Sequence, residues 1–348
     1  MKSGPPPIGR ARLEAFVRRA WFSRTPGGLA SSFSLLASPL CLITALDGAR
    51  RRRRIRALAP PRVPVIVVGN LVAGGAGKTP TTIALVRELA RRGWSPGIVA
   101  RGHRARDAAA RLVSPETDPR EGGDEPVLIA RATHRPVAAG RHRGQALDCL
   151  LDAHPDVDVV VSDDGLQHPH LPRSIELVLF DERGAGNGRL LPAGPLREPL
   201  ARAAGVDAII VPANVSAPLS HPRLFHRRIE IGGFTALADG RTVSTTDMAA
   251  MVDADAVALA GIAEPARFFA TLRGLGIHVR EHPLPDHAPI DRAWLRDLSA
   301  PVILMTEKDA VKCSPTTDDR LWSLQVRVEL DPAFFDWLEP LIRGQPTA

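Results

Sequence analysis

The feature that most restricts the fold is a β-branched run that ends in a glycine-rich turn and passes at once into a helical pattern. Val63 to Val68 is followed by Gly69 and Asn70, then by Val72-Ala73-Gly74-Gly75-Ala76-Gly77-Lys78-Thr79, then by apolar residues at helical spacing out to Arg92. Strand, loop and helix in that order open a βαβ unit. Glycines at such a junction let backbone N–H groups and the helix dipole cradle a polyphosphate. Lys78 is then placed to reach the β- and γ-phosphates, and the Thr79 hydroxyl to ligate magnesium. The strict pattern GxxxxGK[ST] wants glycine at position 72, where this chain has Val72. Nucleotide binding by residues Val72 to Thr79 is the expectation, and an ordinary glycine turn is its competitor.

The rest of the body fits that opening. Short apolar runs at Gly97 to Ala100, Val157 to Ser162, Glu176 to Phe180 and Ala208 to Val211 read as strands, with helices such as Val127 to Ala132 and Gly144 to Ala153 between them. That alternation predicts an α/β fold, a P-loop NTPase-like, mostly parallel sheet covered on both faces. Ala256 to Ala260 and Val302 to Met305 flank a helix around Pro265 to Leu275 and suggest a second, smaller α/β domain. Prolines and histidines interrupt the pattern from Pro218 to Arg228, which places the boundary there. The expected division is a basic N-terminal arm over 1–60, a P-loop domain over 61–220 and a smaller C-terminal α/β domain over 221–348.

Charge sets the arm apart. Residues 1–62 hold 13 Lys and Arg against 2 Asp and Glu, a local +11 within a total of +7, so the body is mildly acidic. No charge falls between Thr25 and Leu46, and arginines lie on both sides of that stretch. A spanning helix wants about 20 strongly apolar residues, whereas Leu29 to Leu46 contains Ser31, Ser32, Ser34, Ser38, Pro39 and Thr44. Arginine on both flanks also removes the asymmetry that orients a single span. A membrane-associated helix lying on an anionic surface accounts for both features; a true span and a helix packed on its own domain are the alternatives. The Arg50 to Arg54 run also suits a phosphate backbone, but no tyrosine and 4% aromatics argue against a stacking platform, so no nucleic-acid partner is expected. Composition excludes a disordered, collagenous or multi-pass membrane chain. The cysteines, Cys41, Cys149 and Cys313, are far apart and offer neither a disulfide framework nor a zinc site.

Two further clusters carry chemistry. Ser162-Asp163-Asp164-Gly165 puts two carboxylates at the carboxyl end of a hydrophobic strand, where α/β sheets bind ligands, and one of them can hold magnesium beside a P-loop. His168, just beyond, reads equally as a packing or a catalytic residue. Asp124, in Gly122-Gly123-Asp124-Glu125-Pro126, reads locally as a helix cap. Arg197 and Glu198 read as a surface ion pair, and His287 as a solvated loop histidine.

Taken together, GNLVAGGAGKTP, Arg101-Gly102, GDEP, DDGLQH, LLPAGPLREP, AGIAEPARFF, PDH and MTEKDAVK, in that order from Gly69 to Lys312, are similar to the tetraacyldisaccharide 4'-kinases of lipid A synthesis. The resemblance implies a P-loop domain and a smaller α/β domain with the active site in the cleft between them. It implies transfer of the ATP γ-phosphoryl group to the 4' hydroxyl of a tetraacylated glucosamine disaccharide 1-phosphate, giving lipid IVA at the cytoplasmic face of the inner membrane by a peripheral enzyme. Asp124 matches the family's base and His287 its partner. Asp163, Asp164, Arg197 and Glu198 match cleft residues serving Mg2+ and phosphate, with Lys78 and Arg197 on the transferred group. Val72 and Ala76 stand where the family usually carries threonine, and His103 where it carries an aromatic residue, so weaker ATP binding is expected at most. No obligate protein partner is inferred.

A sugar hydroxyl must lose its proton while charge on the phosphates is neutralised, which an aspartate backed by histidine and a lysine, arginine and magnesium set can do. The competing readings are a P-loop GTPase or ATPase of the metallochaperone type, for which the chain lacks an NKxD motif, and a nucleotide-dependent membrane-binding protein.

Overall fold

The computed structural model describes residues 8–23, 28–102, 109–252 and 255–344. His103 lies outside these residues. The strands, in chain order, are β1 Val65–Gly69, β2 Pro96–Ala100, β3 Arg111–Val113, β4 Val137–Ala139, β5 Val159–Asp163, β6 Ile175–Leu179, β7 Ala208–Pro212, β8 Leu224–Ala236, β9 Thr242–Val243, β10 Val257–Ala260, β11 Arg280–Pro283, β12 Ile303–Thr306 and β13 Leu321–Leu330. They form one sheet in the order β11-β10-β12-β13-β8-β7-β6-β1-β5-β2-β4-β3, with β9 against β8.

Pairing from β2 to β8 through β5, β1, β6 and β7 is parallel. β1 lies at the centre of this half, and its side chains alternate between two cores. Ile66 and Val68 join Leu85, Leu89 and Ile129 from the helices Lys78–Arg91 and Asp124–Thr133. Val65 and Val67 join Leu147 and Leu150 from the helix Arg143–Ala153 on the other face. A strand buried on both faces needs the unbroken apolar run that made β1 visible in the sequence.

The second half repeats this arrangement around β10, with Ala258 and Ala260 on one face and Val257 and Leu259 on the other. β8 joins the halves. Its first residues pair in parallel with β7, and from Arg227 onward it runs antiparallel to β13. Residues 218–228, read from sequence as an interruption, therefore lead into a 13-residue strand. Its alternation of charged and apolar residues suits an antiparallel pairing with one wet face rather than a buried parallel one. The last helix, Pro332–Arg343, follows the second half in sequence but packs Phe334, Phe335, Leu338 and Ile342 into the core of β1.

The arm is helical from Ile8 to Phe22 and again from Gly28 to Arg56, the second stretch interrupted by a 3-10 turn at Ser38–Leu40 around Pro39. Ser32–Arg56 is, among the described residues, the stretch long and apolar enough to cross a membrane by length and composition. One side is docked on the loop after β6: Trp21 Nε1 donates to the Pro192 carbonyl at 3.0 Å, Thr44 Oγ1 to Leu191 at 2.7 Å and Cys41 Sγ to Leu190 at 3.1 Å. The other side exposes Leu35, Leu36, Leu40, Leu42, Ile43 and Leu46.

Candidate active site

The carboxyl ends of β1 and β5 build the first part of the site. Their register sets Asp163 beside Val68, so the acidic strand end faces the glycine loop that follows Gly69. Gly74 and Gly77 adopt left-handed φ values of 101° and 71°, which side chains with a Cβ seldom tolerate, and Gly77 precedes the helix that begins at Lys78. Lys78 Nζ lies 3.3 Å from Asn70 Oδ1 and 3.5 Å from Asp164 Oδ1. Asp163 is buried and accepts from both Thr79 Oγ1 and Thr82 Oγ1 at 2.9 Å. Burial, with the negative charges of Glu125 and Asp164 nearby, pushes its pKa up to about 6. Asp164 behaves oppositely: burial opposes its ionisation, but Lys78, Arg197 and Arg143 outweigh that and hold it below the usual carboxylate range.

Arg197 is delivered by backbone pairing. Arg197 N–H donates to Leu71 O at 2.7 Å and Ala73 N–H to Pro195 O at 2.8 Å, which zips the segment around Leu196 to the phosphate loop. The guanidinium then lies 3.5 Å from Asp164 Oδ1 and 3.3 Å from Gln167 Oε1. Glu198, the next residue, points elsewhere. It is buried against Arg52 of the arm at 2.7 Å, with Gln167 Nε2 3.3 Å from its other oxygen. The adjacent Arg197 and Glu198 thus have different charged partners, Asp164 and Arg52, with the Gln167 amide bridging the two, and they do not form the surface pair that local sequence suggested. Val72 and Ala76 are buried in the two cores, so they present only backbone to the loop.

Asp124 opens the helix Asp124–Thr133, but Gly123 takes the cap position and the Asp124 carboxylate makes no cap. Its Oδ2 instead lies 3.3 Å from His287 Nδ1 and 3.5 Å from Lys312 Nζ. His287 holds a left-handed φ of 56° and is largely enclosed, unlike a solvated loop histidine. Lys308 Nζ is 3.0 Å from His287 Nε2 and 3.0 Å from Glu125 Oε1. Burial disfavours the Lys308 charge, but Glu125 and Asp286 more than offset it, and its pKa is raised. A charged ammonium can only donate, so Nε2 is the accepting nitrogen and Nδ1 carries its hydrogen toward Asp124. A cavity of about 800 Å³, lined by Asp124, His287, Lys312, Arg120 and Arg131 among others, opens beside this pair.

The expected residues therefore fall into two groups. Lys78, Thr79, Asp163, Asp164 and Arg197 converge at the loop, and Asp124 meets His287 across the two halves. Among the described residues no hydrogen bond or ion pair links Asp124 directly to the loop group; Glu125 is the neighbour whose charge reaches Asp163. Sequence reading missed Glu125, Lys308 and Lys312 as site residues. The two lysines stand at helical i, i+4 spacing in the motif MTEKDAVK, which already carried a signal.

A magnesium ion fits the loop group. Asp164 Oδ1 is buried and makes no hydrogen bond, with Lys78 and Arg197 held 3.5 Å from it, and the Thr79 hydroxyl and Asp163 lie alongside. No cluster of three or more His, Cys, Asp or Glu suited to a metal exists among the described residues, but magnesium bound through one or two protein oxygens, water and phosphate needs none.

A mostly parallel sheet with a glycine loop at its switch point, a lysine, an acidic strand end and an aspartate–histidine pair define a P-loop phosphotransferase. The family model for tetraacyldisaccharide-1-P 4'-kinase matches residues 30–343, and the chain belongs to that family. It is 46% identical over 345 residues to the tetraacyldisaccharide 4'-kinase of Bordetella parapertussis, covering 96% of this chain and 98% of the relative. It is 47% identical over 306 residues to that of Dechloromonas aromatica, covering 84% and 89%. The crystal structure of LpxK from Aquifex aeolicus in complex with ATP superimposes with a TM-score of 0.70 at 26% identity, covering 88% of this chain and 96% of that one.

Proposed function

We propose that the chain transfers the γ-phosphoryl group of ATP to the 4' hydroxyl of a tetraacylated glucosamine disaccharide 1-phosphate, forming lipid IVA. The observation that carries the reading is the pairing of Asp124 with His287 across the two halves, on a chain that belongs to the 4'-kinase family. A nucleotide switch or simple binding protein has no use for such a pair beside its phosphate loop.

In this reading the loop amides and Lys78 hold the polyphosphate, and Arg197 faces the transferred group. His287 Nδ1–H fixes one oxygen of Asp124, and the free oxygen takes the proton of the 4' hydroxyl. As that O–H bond breaks, the sugar oxygen bonds to the γ-phosphorus and the bond from γ-phosphorus to the bridging oxygen of ADP breaks. Thr79, Asp163 and Asp164 would hold magnesium, which when bound neutralises charge on the β- and γ-phosphates. Glu198, tied to Arg52, acts as a link between arm and loop rather than as a ligand. The two halves serve as the two domains of the kinase. The exposed leucines of the arm lie on the cytoplasmic face of the inner membrane, where an acylated acceptor resides, and the flanking arginines meet anionic headgroups.

The test is transfer of labelled phosphate from ATP to the lipid disaccharide by the wild type, Lys78→Ala and Thr79→Ala. Turnover that requires the disaccharide and is abolished in both folded variants is the expected result. Wild-type ATP hydrolysis indifferent to the disaccharide would overturn the reading.

A further inference from the structure

Arg227 lies in the stretch that sequence reading treated as a boundary, yet it is 2% exposed and directed at the phosphate loop. It is the residue at which β8 passes from one half to the other, opposite Pro212 of β7 and Leu330 of β13. Its Nη2 donates to Ala76 O at 2.5 Å and Phe180 O at 3.3 Å, and its Nη1 to Thr81 Oγ1 at 2.6 Å and Gly77 O at 3.1 Å. A Cβ at Gly77 would come within 3.0 Å of Nη1, so the close approach depends on glycine there.

We propose that Arg227 is a positioning residue for the nucleotide: it draws the loop carbonyls down toward the buried side so that the loop amides face the polyphosphate, and its own buried charge is compensated by that polyphosphate. The inference rests on the ATP-dependent reading above. A trans peptide holds its C=O and N–H in one plane, pointing in opposite directions. The carbonyl of Ala76 shares its peptide with the amide of Gly77, and that of Gly77 with the amide of Lys78. Gripping both carbonyls from below therefore aims two successive N–H groups away from Arg227 and into the loop. Thr81 reinforces the grip, because its hydroxyl also donates to Gly77 O at 2.8 Å.

The charge itself is met by neutral oxygens alone among the described residues. No carboxylate lies within ion-pair distance of Arg227 among the described residues, and its Nε is buried without a hydrogen bond. Neutral acceptors stabilise a buried cation less than a carboxylate does, and burial pulls this guanidinium down to about 10, with Asp181 and Glu182 opposing that only partly. A triphosphate on the far side of the loop supplies negative charge across a single peptide layer.

Arg227→Lys, Arg227→Gln and Thr81→Val separate this role from simple support of the fold. ATP affinity is measured by calorimetric titration without acceptor, and KM for ATP, kcat and the melting temperature of the nucleotide-free protein are measured alongside. Arg227→Lys keeps the charge but not the fork. We expect it to weaken ATP binding about tenfold and to raise KM for ATP more than it lowers kcat. Arg227→Gln should weaken binding further, and Thr81→Val should do so by a few-fold, with melting temperatures that do not follow the same order. Should Arg227→Gln fail to fold, Arg227→Lys and Thr81→Val decide. ATP affinity within twofold of wild type in these folded variants, or losses of kcat alone, would overturn the proposal. Because binding is read without acceptor, that failure is distinct from a failure of acceptor phosphorylation by the wild type.

Discussion

Asp124 and His287 meet only because two halves of the molecule do, and their proposed joint role makes a kinetic prediction. General-base removal typically costs about 10²- to 10⁴-fold, so Asp124→Ala and His287→Ala should each lose kcat on that scale with ATP affinity nearly intact. Groups acting as one unit are non-additive, so the double variant should be little slower than the worse single; losses that multiply would separate the two residues. Lys308→Met should weaken the same step by removing the donor that fixes the histidine tautomer. His168 makes a prediction about pH. Burial and the nearby Arg143 pull its pKa down to about 4, against about 6.5 in an unfolded chain. Between those values the unfolded chain binds a proton that the folded one refuses. The stability His168 contributes is therefore complete above about pH 6.5 and is lost as pH falls toward 4. Melting temperature measured across that window should fall less steeply in His168→Gln than in the wild type, and equal slopes would refute the assignment.

At the scale of elements, the arm has two faces with different work. Its docked side carries Trp21, Cys41, Thr44 and Arg52, and its outer side carries leucines that no other part of the described chain covers, Leu36 being 80% exposed and Ile43 66%. Replacing Leu35, Leu36 and Ile43 by serine should cut the fraction bound to anionic vesicles at least tenfold, since each apolar side chain buried is worth about 1.5–3 kcal/mol, while melting in detergent changes little. Unchanged vesicle binding would show that the outer face does not meet lipid. Arg52→Met is expected to act differently. It leaves Glu198 buried beside Gln167 without its close cation, so it should lower stability, and Glu198→Gln in the same chain should restore part of the loss. Absence of any rescue would mean that the pair does not link the arm to the loop.

At the scale of the molecule, one sheet runs through both halves and the last helix returns to the first core. Phe334 is fully buried there, with its ring 5.3 Å from that of Phe225 and 5.8 Å from that of Trp337. Phe334→Ala should destabilise the protein by about 3–5 kcal/mol and should loosen the P-loop half, although position 334 is distant from it in sequence. Hydrogen exchange would show this as faster exchange in β1 and in the helix Lys78–Arg91; an effect confined to β10–β13 would contradict the packing. An ion pair also spans the halves at the loop itself. Arg183 donates to Gly75 O at 3.0 Å and is held by Glu264 from the second half, which also meets Arg18 of the arm at 3.1 Å.

Features whose information is local can be read along the chain. β1, β5 and β7 are buried on both faces, so continuous apolar runs announced them, and the loop from Gly74 to Thr79 is legible because a polyphosphate cradle is made by neighbouring backbone. The paired carboxylates at the end of β5 were legible for the same reason. β3, β4 and β9 are two or three residues long and leave no period to detect, and β8 and β13 pair antiparallel with charged residues among their apolar ones, which resembles a linker when read alone. Relations between distant positions emerge only once the chain is folded: Asp124 facing His287 rather than capping its helix, Glu198 turned to Arg52 while Arg197 stays at Asp164, and Arg227 beneath the loop instead of in a connection. Side-chain charge and burial are set by the residues that folding brings within a few ångströms, and the partners of Asp124, Glu198 and Arg227 in these contacts lie 146 to 163 positions away along the chain.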